Sequence, residues 1–247
     1  MIGDETMLIH PEWPLPENVR ALSTTRDGGV SLPPYDSLNL GSHVGDDLEK
    51  VMLNRLILVD GAALPSMPHW LEQVHGTEVI HIDDTPPLSV RGDAAYTTHK
   101  GQVCAVMTAD CLPVLFCSVA GDEVAAAHAG WRGLCEGVLE ETLSRFRAEP
   151  SQIMAWLGPA IGPDAFEVGL EVREAFIKND AMAASAFKPY NKKFFADIYQ
   201  LARQRLHASG VVQIFGGNFC TVSDSQKFFS YRRDRVTGRM ASLIWLI

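Results

Sequence analysis

The stretch 103–121 is almost entirely apolar and constrains the fold more than any other part of the chain. Its length approaches that of a membrane-spanning helix, but Asp110 and Pro113 interrupt it. A carboxylate at the centre of a membrane span is costly, whereas two short strands buried on both faces accommodate the same residues. We therefore predict two core strands with a functional break between them, and no association with a membrane.

Other segments show the patterns of strands and helices. Short apolar runs typical of core strands occur near 78–82, 102–108, 112–117, 123–127, 152–157, 211–215, 227–231 and 240–246. Helical spacing predicts helices over 46–58, 134–146 and 164–178, and from an N-cap at Asp197 to a stop at Gly210. Strands and helices alternate only loosely, which predicts an α+β fold with mixed β-sheets and packed helices. We expect one compact domain over residues 1–247.

Composition excludes several classes of protein. The chain carries 30 acidic and 21 basic residues, a net charge of −9, and its basic residues are scattered along the sequence. Binding to nucleic acid or to an anionic membrane is therefore not expected. The five cysteines include no CxxC pair, and the N-terminus lacks the features of a secretory signal. These observations predict a cytoplasmic protein without disulfides.

Three separate residues have the chemistry of one metal site. Cys111 follows Asp110 at the end of an apolar run, so its thiol is expected to face an opening. His128 ends a second apolar run, and His75 lies in a Gln-Val-His-Gly turn. A thiolate and two imidazoles suit zinc, and three protein ligands leave a fourth position open for water or substrate. Each residue also has a structural interpretation, because buried cysteines and core or turn histidines are common.

Six strings, in order along the chain, resemble the YfiH-like family. They are QVHGTEV (73–79), RGDAAYTTHKG (91–101), TADCLPVLF (108–116), AAHAGWRG (126–133), WLGPAIGP (156–163) and FFSYRRDRVTGRMASLIWL (228–246). The resemblance extends from about Arg20 onward. It implies an α+β fold and a zinc ion on His75, Cys111 and His128. It also implies an enzyme that phosphorolyses adenosine, inosine, guanosine and methylthioadenosine, and that deaminates adenosine.

The same family has been labelled as laccase-type polyphenol oxidases. A multicopper oxidase needs roughly two or three imidazoles for each of about four coppers. This chain has eight histidines and no HxH pair, so we do not expect a multicopper centre. Copper bound at the proposed zinc site could still give weak phenol oxidation, since such a site favours copper where copper is available.

Purine nucleosides and phosphate, the substrates that the resemblance implies, require further groups. We predict that Asp110 carries protons, with helix capping as the alternative role, and Asp93 is the reserve candidate. Arg132, four residues after His128, is the predicted cation for phosphate or for the departing purine. The next candidates are Arg232 and Arg233, one of which is expected to form a structural ion pair.

Two rival classes of function remain open. Cys111 could be a nucleophile activated by His128, as in a cysteine hydrolase, including one that edits peptidoglycan precursors. The chain could also bind nucleosides without turnover. In the segment LNLGSHVGDD we favour a turn for Asn39, whereas His43 either lines the pocket or belongs to the same turn.

Overall fold

The centre of the molecule is a six-stranded sheet, seen in a computed structural model that describes residues 7–247. In spatial order its strands are β12 (Gln213–Gly216), β8 (Ile153–Leu157), β6 (Leu112–Ser118), β7 (Val124–Ala129), β4 (Ala94–Thr97) and β3 (Val79–His81). The outer pairs β12–β8 and β3–β4 are parallel, and the inner pairs are antiparallel. The sheet is therefore mixed, as predicted.

Two smaller sheets complete the strand structure. The four-stranded sheet is antiparallel and consists, in spatial order, of β1 (Leu8–Ile9), β2 (Val19–Thr24), β13 (Met240–Leu246) and β5 (Val103–Thr108). The three-stranded sheet consists of β10 (Phe187–Tyr190), β11 (Lys193–Ala196) and β9 (Glu167–Val168). Because β5 and β6 belong to different sheets, the chain crosses from one sheet to another at residues 109–111.

Within the described part of the chain, six α-helices and two short 3₁₀ helices accompany the sheets. They are α1 (Leu48–Gly61), α2 (Trp131–Glu136), α3 (Val138–Leu143), α4 (Leu170–Asn179), α5 (Ile198–Ala208) and α6 (Tyr231–Asp234), with 3₁₀ turns at Pro150–Gln152 and Ala181–Ala186. The predicted N-cap Asp197 accepts a hydrogen bond from the backbone N–H of Gln200 at 2.9 Å. Within residues 7–247, no helix combines the length and apolarity that crossing a membrane requires.

The six-stranded sheet is buried on both faces. On one face, Leu115 of β6 packs in a cluster with Ile244 of the four-stranded sheet. On the other face, Phe116 packs in a cluster with Leu139 of α3 and Leu206 of α5. Each such side chain contributes roughly 1.5–3 kcal/mol when it leaves water. This burial explains why β6 is continuously apolar instead of alternating, and the two predicted strands on either side of residue 110 are confirmed.

Some predicted helices differ in the structure. The helix predicted over 134–146 is two short helices, α2 and α3, because Gly137 between them adopts a left-handed φ of +108°. The helix predicted over 164–178 begins only at Leu170. Residues just before it pair as strand β9, with Val168 opposite Phe194 of β11, and this pairing lies too far along the chain to be read from local spacing.

One predicted strand is wrong, and several strands were not predicted. Residues 227–231 form no strand, and α6 begins at Tyr231 instead. The Ser230 side chain caps this helix by accepting the N–H of Arg233 at 3.2 Å. Strands β1, β2, β4 and β9 to β11 are short or lie in sequence without a strong apolar run, so tertiary pairing determines them.

Candidate metal centre

His75, Cys111 and His128 come together in the folded chain. Their ligand atoms all lie within 4.8 Å of one another. The Sγ atom of Cys111 is 3.8 Å from Nε2 of His75, and the two imidazole rings meet edge to face with centroids 4.8 Å apart. Two ligand atoms on a tetrahedral zinc at ordinary bond lengths lie roughly 3.5 Å apart. Small side-chain shifts would therefore let this donor set hold a zinc ion.

Each member of the cluster comes from a different part of the fold. Cys111 lies where the chain crosses between sheets, and Asp110 before it adopts a φ of +90°. His128 is near the end of β7, opposite Pro113 of β6. His75 lies in a loop with a φ of +61°. Two of these backbone conformations are uncommon for residues other than glycine, so the surrounding structure holds the loops in these positions.

Asp93 positions two of the three candidate ligands. Its side chain is fully buried. One carboxylate oxygen accepts from Nδ1 of His128 at 2.8 Å and from the N–H of His75 at 2.9 Å. The other accepts from the N–H groups of Val74 and Gly76. Because Asp93 engages Nδ1 of His128, Nε2 remains for a metal, an arrangement common around metal-bound histidines. With these four hydrogen bonds, Asp93 orients the candidate ligands. Its other suggested role, as the reserve candidate for carrying protons, stays a prediction.

Glycines allow the cluster to close. A Cβ atom at Gly130 would lie 2.9 Å from Cδ2 of His75 and 3.1 Å from Sγ of Cys111. A Cβ atom at Gly133 would lie 2.7 Å from the carbonyl oxygen of Gly76. Real Cβ atoms rarely approach other atoms so closely. The two glycines of the Gly-Trp-Arg-Gly segment therefore permit a close backbone approach.

The cluster favours a thiolate. Burial by itself raises the pKa of the Cys111 thiol, but His128 and His75 outweigh this effect and lower the pKa to about 6. Burial lowers the pKa of His128, and the facing Cys111 and Asp93 reverse this to a raised value. The two side chains thus stabilise each other's charged forms. A thiolate is the form of cysteine that binds a metal or acts as a nucleophile.

Two adjoining pockets open onto the cluster. We call the first the apolar lobe; it has a volume of about 180 Å³ and is lined by residues that include Trp131, Ile161, Phe166 and Ile198. We call the second the polar lobe; it has a volume of about 320 Å³ and is lined by residues that include His43, His75, His128 and Arg239. Both lobes share Ala109, Cys111 and Tyr231. Cys111 therefore lies at their junction.

Asp110 lines the apolar lobe, and other groups engage its carboxylate. One oxygen accepts from the hydroxyl of Thr221 at 2.6 Å, and the other accepts from the backbone N–H of Arg232 at 2.6 Å. This bond to the first turn of α6 matches the helix-capping alternative. Asp110 thereby ties α6 to the loop that carries Cys111, and its role as a proton carrier stays a prediction.

The predicted cations lie in three different settings. Arg132 is exposed, lies over the ring of Trp131 at 4.8 Å and lines neither lobe. Arg232 lines the apolar lobe. Arg233 donates to the carbonyl oxygens of residues 221, 222 and 228 and pairs with Asp234, which is the structural role expected of one member of this pair.

Arg239 and Tyr231 are among the lining residues that the sequence did not single out. Both lie in the C-terminal string that carries the family resemblance, and both line the cleft. Arg239 reaches the cleft because β13, which begins directly after it, pairs with β5 so that Met240 lies opposite Thr108. That strand pairing joins residues more than a hundred positions apart and leaves no local signal.

Comparison with known proteins identifies the family of this chain. Residues 20–247 match the family described as multi-copper polyphenol oxidoreductase laccase. Purine nucleoside phosphorylase YfiH of Shigella flexneri is 64% identical over 240 residues, which cover 97% of this chain and 99% of that protein. The chain belongs to this YfiH-like family. Purine nucleoside phosphorylase of Haemophilus influenzae is 54% identical over 240 residues, covering 96% of this chain and 98% of that protein.

Solved structures share the fold. A crystal structure of a Neisseria meningitidis protein is 51% identical, with a TM-score of 0.91 and coverage of 97% of this chain and 98% of that chain. The crystal structure of YfiH from Bacillus licheniformis is 31% identical, with a TM-score of 0.90 and coverage of 99% and 98%. The predicted family and fold class are thus confirmed.

The family description and the relatives' names point to different chemistry. Within residues 7–247, His75, Cys111 and His128 form the one group with the residue types and spacing to hold a metal ion. A multicopper centre needs roughly two or three imidazoles per copper, and this group contains two histidines. The site therefore resembles a single open metal site of the catalytic kind more closely than a multicopper centre.

Proposed function

We propose that this protein is a zinc-dependent purine nucleoside phosphorylase that acts on adenosine, inosine, guanosine and methylthioadenosine and also deaminates adenosine. One observation carries the proposal: a cluster of one thiol and two imidazoles lies at the junction of an apolar lobe and a polar lobe. The planar base of a nucleoside suits the apolar lobe, whereas the sugar and the phosphate are polar and suit the polar lobe. The names of relatives up to 64% identical support the phosphorylase part of this proposal.

The residues for the metal are His75, Cys111 and His128. When bound, zinc supplies a Lewis acid with one exchangeable coordination position. Asp93 keeps Nε2 of His128 directed to the metal by engaging Nδ1. The same carboxylate holds the loop of His75 through backbone bonds. We propose zinc as the resident metal, although such a site binds copper more tightly where copper is available; phenol oxidation would require copper in its place.

Phosphorolysis exchanges one bond for another. An oxygen of phosphate bonds to the anomeric carbon as the glycosidic bond breaks, and the electron pair of that bond leaves with the purine, which gains one proton. We propose that Asp110, in the wall of the apolar lobe, relays this proton from the hydrogen phosphate to the purine. Its two oxygens each accept one hydrogen bond, and a carboxylate has further lone pairs. In deamination, water replaces the amino group of the base and ammonia leaves.

Arg132 was the predicted cation for phosphate, but it lies outside both lobes. Its exposed guanidinium stacks on Trp131. We therefore propose that the cation that binds phosphate next to the cluster comes from the residues that line the lobes, and the role of Arg132 stays a prediction.

The test is to incubate the zinc-loaded protein with adenosine, with and without phosphate, and to identify the products by chromatography. Free adenine that forms only with phosphate supports phosphorolysis, and inosine supports deamination. Cys111→Ala should abolish both activities. Cys220→Ala is the matched control, because the Cys220 thiol is partly exposed and lines neither lobe. No product after long incubation would contradict the proposal and favour a binding module.

One observation supports the rival function, a cysteine hydrolase, and the same experiment can test it. The lowered pKa of Cys111 beside His128 is also what a nucleophilic thiol needs. A chelator separates the two functions. Activity that a chelator abolishes and zinc restores supports the phosphorylase. Activity that resists the chelator but is lost on alkylation of Cys111 supports the nucleophile, as does hydrolysis of a peptidoglycan precursor under those conditions.

A further inference from the structure

The polar lobe contains a guanidinium that forms no ion pair with a carboxylate among the described residues. Arg239 is half-buried and lines this lobe beside the cluster. Its Nη1 atom donates to the carbonyl oxygens of Thr237 and Gly238 at 3.1 and 3.0 Å. Among residues 7–247, no carboxylate lies within ion-pair distance of it. A desolvated cation is unfavourable unless an anion pairs with it, and burial accordingly lowers the pKa of Arg239.

The fold places Arg239 in this position through several specific contacts. Oδ1 of the buried Asn39 accepts from the backbone N–H of Arg239 at 2.9 Å and from that of Gly41 at 3.0 Å. A Cβ atom at Gly41 would lie 2.8 Å from Cγ of Arg239, so the arginine stem passes directly over this glycine. Asn39 also donates to Asp46 at 3.0 Å. The segment 39–46 is thus joined to Arg239, and it carries His43 into the same lobe.

A second nitrogen donor faces the lobe. His43 lines it, and the pKa of His43 is lowered by burial and by the nearby Arg239 and Arg55. Arg55 is buried beneath this segment, where it donates to the carbonyl oxygen of Leu40 and lies over the ring of Trp70. Arg55 also lacks a carboxylate partner among the described residues. Arg239 therefore brings a positive charge to the wall of the polar lobe, with Arg55 behind it, and the neutral imidazole of His43 offers an N–H donor.

We propose that Arg239 and His43 form the subsite for phosphate, and that the apolar lobe holds the purine base. This inference rests on the proposed function and names the subsites of that reaction. A guanidinium presents several N–H groups to an oxyanion, and an imidazole supplies a further donor. Trp131, Phe166 and Ile161 offer the apolar walls that a flat aromatic base requires. Both lobes meet at Cys111. The anomeric carbon, which carries the base and receives the phosphate, would therefore lie at this junction.

The test compares four zinc-loaded proteins: the wild type, Arg239→Gln, Arg132→Gln and Arg20→Gln. Arg20 is the matched control, because its Nη1 atom also donates to two backbone carbonyl oxygens, those of Glu17 and Val19, but it is exposed and lines neither lobe. Two quantities are measured. The first is the KM for phosphate and for inosine in phosphorolysis, and the second is the Kd of inorganic phosphate by calorimetry without nucleoside.

In Arg239→Gln we expect the KM and the Kd for phosphate to rise at least about 10-fold, as for loss of a charge-assisted hydrogen bond. The KM for inosine should change by less than about 3-fold, since the base lies in the other lobe. Arg239→Lys should recover part of the phosphate affinity, and His43→Asn should weaken it. These two variants keep the test decisive if Arg239→Gln does not fold.

Unchanged phosphate affinity in Arg239→Gln would overturn the proposal, as would an equal loss in Arg132→Gln. The calorimetric measurement separates this inference from the proposed function. If the wild type binds phosphate, Arg239→Gln does not, and no hypoxanthine forms from inosine, the anion subsite is supported while the phosphorylase function is refuted.

Discussion

Replacing Asp93 with asparagine tests the role of the carboxylate behind the cluster. Asparagine has nearly the same shape, but it offers one acceptor oxygen and one NH₂ group. If its oxygen faces His75 and His128, the NH₂ group meets the N–H groups of Val74 and Gly76. If it turns over, the NH₂ group meets Nδ1 of His128. That nitrogen must then accept, and the ring proton moves to Nε2, the nitrogen that the metal requires.

The magnitude follows from the bonds that are lost. With the oxygen on the His75 and His128 side, the N–H groups of Val74 and Gly76 lose their acceptor; in the other orientation, with Nδ1 of His128 accepting, the N–H of His75 loses its acceptor. Each unsatisfied group costs roughly 1–3 kcal/mol. We therefore expect Asp93→Asn to lower the free energy of unfolding of the metal-free protein by about 1–4 kcal/mol, the lower part of the combined range, because these N–H groups are partly buried. Loss of an orienting partner behind a metal-bound histidine typically weakens metal affinity about 10–100-fold, and we expect a loss of zinc affinity in that range.

Stability is measured by urea unfolding and zinc affinity by competition with a chelator of known affinity. Glu123→Gln is the matched control. Glu123 is also a buried carboxylate, and it accepts from the hydroxyl of Tyr96 and from the N–H groups of Arg147 and Ala148, but it contacts no candidate ligand. Its substitution should cost similar stability while zinc affinity stays within about 2-fold of the wild-type value, since it orients no ligand.

The reasoning would be refuted if folded Asp93→Asn bound zinc as tightly as the wild type. It would also be refuted if Glu123→Gln weakened zinc binding equally. In the second case general destabilisation, and not the orientation of His128, would account for the loss.

Three further predictions concern the cluster and the core. Gly130→Ala should lower zinc affinity about 10-fold or more by overpacking, because the new Cβ would lie 2.9 Å from Cδ2 of His75; unchanged chelator competition would contradict this. Zinc should slow alkylation of Cys111 by iodoacetamide, measured by peptide mass spectrometry, and equal rates with and without zinc would show that the thiol is not a ligand. Burial raises the pKa values of Tyr96 and Tyr199. The free energy of unfolding should therefore fall as the pH rises above about 10, where the unfolded chain loses these protons. Urea midpoints across this range measure the slope, which Tyr199→Phe should flatten.

The core strands around the site were predictable from local sequence. The apolar runs on either side of Asp110 are buried on both faces as β5 and β6, so their continuous hydrophobicity reflects that burial directly. The cap at Asp197 is likewise a local signal, because its side chain bonds an N–H group three residues away. Helix α3 was misjudged since Gly137 adopts a left-handed conformation that spacing alone does not reveal.

The sequence by itself determined which residue types are available for chemistry. It made Cys111, His75 and His128 candidates for one metal site, and its eight histidines are too few for a multicopper centre. Only the tertiary structure decided how the cluster is supported and what surrounds it. Asp93 bonds to residues 17 to 35 positions away, and Arg239 reaches the cleft through the pairing of β13 with β5. Such contacts depend on which strands become neighbours. Strand pairing between distant segments is settled by the packing of the whole core, so it leaves no pattern in the local sequence.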